Sequence, residues 1–154
     1  MHLDNGEEKG WMITRYENVI IQVVCGIMVP FIQLFGLYVV VHGHYGPGGG
    51  FQGGVIFAVS VILLRVCLGK EASSQRYPTK LASVLATIGI LVFLLAGLIP
   101  MTIGGAFLDY GHLPIPGMMG AALRSLGILI VECGIALAVF GTLVVIFDYL
   151  VEGR

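Results

Sequence analysis

Charge is scarce along most of this sequence. Asp, Glu, Lys and Arg supply only 11% of its 154 residues, while 57% are hydrophobic. A water-soluble domain carries about a quarter charged residues, so composition excludes that class. Eight basic against nine acidic residues leave a formal net charge of −1, which offers nucleic acid no basic surface. Cysteine is equally sparse: Cys25, Cys67 and Cys133 stand apart, each inside an apolar run. With no CxxC pair and no Cys/His cluster, packing or lipid contact is expected of them rather than a redox or metal role. No Walker loop, dinucleotide fingerprint or nucleophile–base set occurs. Neither a cofactor, a metal nor enzymatic chemistry within this chain is therefore expected.

What the sequence has in abundance is apolar length. Residues 19–41 and 81–103 contain no formal charge, residues 53–68 contain only Arg65, and residues 126–147 contain only Glu132. Runs of this kind, about 20 residues each, match the thickness of a bilayer core. A soluble four-helix bundle would show a polar stripe on each helix, and none is visible. The expected fold is an all-α membrane protein: four transmembrane helices with a glycine-rich junction between the first and second. Residues 1–17 read as a polar N-terminal tail, 18–150 as a single four-helix transmembrane domain and 151–154 as a C-terminal tail. The first run is too long for a signal-peptide core and follows an acidic segment, so it is expected to be retained. Lys70, Arg76 and Lys80 face only Glu71 in the loop 70–80. The positive-inside rule places that loop, and with it both termini, in the cytoplasm. The glycine junction and the loop 104–123 then face outward.

Glu132 is the sharpest candidate for chemistry. An acid within a span is costly and has a partner or a wet path beside it, so it reads either as a station for protons or cations or as a buried hydrogen-bonding group. Gly120, Gly127, Gly134 and Gly141 recur every seven residues around it, a seam that lets helices approach closely. At 100° per residue, Glu132 points away from Gly134. Two faces of this helix thus ask for protein contact, which implies a larger assembly. Arg65 sits one turn from a span end and is expected to snorkel to the head groups. Asp148 and Glu152 are expected to be interfacial. His42 and His44 do not share a helix face, and without a Cys or a nearby acid they do not read as metal ligands.

The junction itself runs His42-Gly43-His44-Tyr45-Gly46-Pro47-Gly48-Gly49-Gly50-Phe51-Gln52-Gly53-Gly54. Glycine this dense serves close backbone approach and φ values that other residues avoid. Gly49/Gly53 and Gly50/Gly54 also have the GxxxG spacing of tight helix contacts.

The segment Gly43-His44-x-x-Pro47-Gly48-Gly49-Gly50-Phe51-x-Gly53-Gly54 resembles the signature of the MnhB/MrpB family, the B subunits of multisubunit Mrp-type cation/proton antiporters. The resemblance runs from about Leu34 through the fourth span. Tyr45 stands where family members often have Asn. The same family supplies a subunit to membrane-bound hydrogenases and related complexes with an Mrp-like module. The resemblance implies a small four-helix subunit in a prokaryotic plasma membrane, packed beside large antiporter-like subunits and other small ones, with sodium and protons as the ions moved by the whole. It assigns Gly43, His44, Pro47, Gly48, Gly49, Gly50, Phe51, Gly53 and Gly54 a structural role and leaves Glu132 outside the motif. A structural subunit of a redox-driven ion pump is the alternative. A self-sufficient exchanger needs several ionisable groups along its route. This sequence supplies at most one station, Glu132, so the rest must come from partners.

Overall fold

A computed structural model describes residues 5–43 and 46–152, with side chains described from Val19 onward, Glu71 excepted. The elements are α1 (Asn5–His42), α2 (Gly50–Leu68), the short α3 (Lys70–Ser74), α4 (Thr79–Thr102), a single 3-10 turn at Tyr110–His112 and α5 (Ala121–Glu152). Four of these helices contain segments long and apolar enough to cross a membrane: Val19–His42, Gly50–Leu68, Thr79–Thr102 and Ala121–Glu152. The chain is an all-α membrane protein, as its apolar runs require. Several boundaries differ from the sequence pattern: α1 starts at Asn5, inside the expected polar tail and well before Val19. α2 starts at Gly50 rather than Gly53, and α5 starts at Ala121 rather than Leu126. Gly50 and Gly53 are helical despite their low propensity, because their missing side chains let the first turn of α2 press onto its neighbours.

The helices pack in the order α1, α2, α5, α4, with a smaller contact between α1 and α5. In lipid, bringing apolar side chains together removes no water, so helix association rests on close packing and interhelical hydrogen bonds. The sequence supplies that packing with small residues. A Cβ on Gly134 would lie 3.1 Å from the Gly89 carbonyl oxygen, and one on Gly141 would collide with the Ala82 carbonyl, so α4 and α5 touch backbone to backbone. On the other side of α5, a Cβ on Gly54 would sit 2.7 Å from the Ala136 carbonyl oxygen. Ala58, Val61, Ala82 and Val144 fill the core between these contacts.

Three of the four seam glycines are therefore packed inside the chain, while Gly120 meets nothing within 4 Å. Gly127 receives Tyr110 and Leu113 from the loop, Gly134 and Gly141 receive α4, and the Glu132 face receives the glycine junction. The expectation that two sides of this helix need outside partners is corrected here: α5 lies between α2 and α4, which cover both. The surfaces left open belong to other helices. Ile20, Phe31 and Leu34 on α1 and Leu91 on α4 are exposed, as suits faces that meet lipid or another subunit.

Candidate functional site

Two polar centres stand at opposite ends of the bundle. The first is built by the glycine junction. After α1 the chain turns back on itself so tightly that the Gly49 amide donates to the Val39 carbonyl (3.2 Å) and the Gly43 amide to Val40 (3.3 Å). Gly49 takes φ 119° immediately before α2, a conformation that favours glycine. A Cβ on Gly48 would lie 2.9 Å from the Val39 carbonyl oxygen, and one on Gly53 would strike Val40.

Glu132 enters this turn from α5. A Cβ on Gly43 would lie 2.7 Å from Glu132 Oε1, one on Gly49 would lie 3.5 Å from it, and one on Gly50 would collide with the Glu132 backbone carbonyl. The carboxyl group thus rests against bare backbone. Its second oxygen, Oε2, is buried and has no hydrogen-bond partner among the described residues. Tyr110 approaches from the loop: burial, and then the charge of Glu132, push its phenol above the ordinary tyrosine range. Its hydroxyl therefore keeps its proton. A carboxyl group with one open oxygen can take up a proton, accept a hydrogen bond or hold a cation. Among the described residues, no group of three or more His, Cys, Asp and Glu side chains gathers to hold a metal.

The motif residues divide by direction. Gly43, Gly48, Gly49, Gly50, Gly53 and Gly54 all face backbone or side chains of neighbouring segments. Pro47 and Phe51 are exposed, bordering a shallow groove with Phe35 and Val55. His42 stacks on Tyr38 with ring centroids 4.3 Å apart. His44 lies outside the described residues.

The second centre was not legible in the sequence. Arg65 was expected to snorkel and Asp148 to be interfacial, yet both side chains are 1% exposed. Arg65 Nε lies 2.7 Å from Asp148 Oδ1, a charge contact rather than an aligned hydrogen bond. Thr79 donates its hydroxyl to Asp148 Oδ2 at 2.5 Å. Arg65 Nη2 donates to the Tyr77 carbonyl at 2.9 Å. The Tyr77 ring then reaches Gln33 on α1, whose amide donates to the Tyr77 hydroxyl (3.1 Å) and to Ser60 (3.3 Å). Burial of two charges requires such a set of partners. Glu152 pairs with Lys70 at the surface.

Glu132 and Asp148 are sixteen residues apart on one helix, about 24 Å at 1.5 Å per residue. Between these levels lies a cavity of about 310 Å³ with an apolar lining that includes Leu37, Phe57, Cys133, Ala136 and Phe140. Its apolar lining offers an ion no oxygen ligand between the two centres.

Comparison with known proteins adds a separate line. Residues 20–145 match the family model described as a domain related to the MnhB subunit of Na+/H+ antiporter. Curated relatives from Staphylococcus aureus strains Newman and USA300, each named "Putative antiporter subunit mnhB2", are 33% identical over 144 residues. The match covers 91% of this chain and 99% of each relative.

Proposed function

We propose, since this chain belongs to the MnhB family, that it is an integral membrane subunit of an Mrp-type multisubunit cation/proton antiporter. It scaffolds neighbouring subunits and lines the outer part of the ion path at Glu132. The observation that carries the path-lining role is the Glu132 carboxyl group, seated against Gly43 and Gly49 with Oε2 buried and without a partner among the described residues. An intramembrane acid in that state needs a proton, a donor or a cation. The apolar lining below it supplies no further charged group, which favours a route continued through other chains, the large antiporter-like subunits and the other small ones. Orientation follows from loop charge: the loop 70–80 and both termini lie on the cytoplasmic side, and the glycine junction on the outer side of a prokaryotic plasma membrane.

Glu132→Gln tests this. Glutamine keeps the volume that packs on Gly43 and removes the titrating group. In everted membrane vesicles the assembled variant complex is expected to lose sodium/proton exchange down to the level of vesicles lacking the complex. Native gel electrophoresis of the same membranes should show the complex intact. Full exchange by a normally assembled Gln variant would sink the path-lining role. Deleting the whole chain is expected to remove the complex from the gel, as a scaffold requires.

A further inference from the structure

The α1–α2 contact keeps one antiparallel register along its length. A Cβ on Gly53 would strike Val40, one on Gly36 would lie 3.2 Å from the side chains of Ile56 and Phe57, and Gln33 hydrogen-bonds Ser60 at 3.3 Å. Each step back along α1 is matched by a step forward along α2. The inward stripe of α1 continues from Gln33 through Val29 to Cys25, both of which are buried. The stripe of α2 continues from Ser60 through buried Leu64 to Cys67. The shared register brings the two cysteines to one level, the last before Gly69, and Cys25 is near enough to act on the Cys67 thiol. Gly36 and Gly53 hold the two backbones close at the junction end of the same interface. Cys133 lies on α5, away from this pair.

We propose that Cys25 and Cys67 form a dithiol site across the α1–α2 interface that closes to a disulfide, stapling the two helices at the end that carries the loop 70–80. Cys67 is the more exposed thiol and Cys25 the buried one, which sets their order of reaction. With a small membrane-permeant aromatic disulfide as oxidant, the Cys67 sulfur attacks one reagent sulfur. It expels one aryl thiolate, which carries off the Cys67 proton. Cys25 then attacks the Cys67 sulfur of the mixed disulfide and expels the second aryl thiolate with the second proton. Two cysteine thiols are oxidised by two electrons, and one reagent disulfide is reduced to two aryl thiols.

The test uses native membranes containing a Cys133→Ser chain, so that only the pair remains. The membranes are treated with dithiodipyridine, denatured in N-ethylmaleimide, and the chain is weighed intact by mass spectrometry. The expected product lacks two hydrogens and carries neither a pyridyl nor a maleimide group, and dithiothreitol followed by N-ethylmaleimide converts it to a doubly labelled chain. Adding Cys25→Ser or Cys67→Ser should give a chain with a single adduct and no hydrogen loss. Two pyridyl groups on the Cys133→Ser chain would show thiols too far apart to join, and two maleimides would show thiols that the oxidant never joined; either overturns the site. The native chain, with Cys133 in place, should combine the same two-hydrogen loss with one adduct, which keeps the result independent of the Cys133 substitution.

Discussion

Gly50→Ala is expected to destabilise this protein severely, whereas the same substitution at Gly26 is expected to be neutral or stabilising. A single methyl group separates each variant from the native chain, so the two results together isolate packing from chemistry. At position 50 the new Cβ collides with the carbonyl oxygen and carbon of Glu132. These atoms belong to the α5 backbone and cannot rotate aside, so α2 must move away from α5. Overpacking of that kind costs about 1–3 kcal/mol, or more where backbone must shift. At position 26 a Cβ meets nothing within 4 Å, and alanine gains up to about 1 kcal/mol of helix propensity over glycine. Thermal unfolding in mild detergent, followed by size-exclusion chromatography, should show Gly50→Ala melting well below the native protein. Gly26→Ala should melt at or above it. Equal melting temperatures would mean that the glycine junction is not pressed onto α5, and the seating of Glu132 would then lose its basis.

The contrast between these glycines shows what the sequence could and could not convey. Four spans were legible because apolar length is a local property, and so was the need for close approach in the Gly43–Gly54 junction. The partner of that approach was not. Glu132 lies more than eighty residues from Gly43 and Gly49, and no periodicity within α5 says which helix its carboxyl face will meet. The seven-residue seam misled for the same reason. Its two faces asked for contacts, and only the order α1, α2, α5, α4 shows that the chain itself supplies them. Arg65 and Asp148 were read one at a time, each near a span end where a long or charged side chain can reach head groups. Their pairing depends on α2 lying against α5. Cys25 and Cys67 escaped notice as a pair because their meeting depends on the α1–α2 register. In each case residue chemistry was visible and adjacency was not.

The Arg65–Asp148 pair allows the sharpest double-mutant test. Arg65→Met leaves the Asp148 carboxylate buried beside Thr79 with its counter-charge gone, and Asp148→Leu leaves the Arg65 guanidinium held, among the described residues, by the Tyr77 carbonyl and Ser73. Breaking a buried pair from one side costs about 3–5 kcal/mol, because an uncompensated charge remains. Each single variant is therefore expected to accumulate poorly and to melt far below the native protein. The double variant Arg65→Met/Asp148→Leu removes both charges and fills similar volume, an exchange that is often neutral for a buried pair. It should recover most of the loss but not all, since the Tyr77 carbonyl then lacks its donor, a deficit of about 1–3 kcal/mol for a buried polar group. Singles that are mild, with a double equal to their sum, would show that water reaches the pair and that it is an ordinary surface contact. Recovery of stability in the double also separates fold from transport. If the restored complex exchanges ions normally, the pair serves only to tie α2, α4 and α5 together. If it assembles but stays inactive, the charges at this end join Glu132 as candidates for the route.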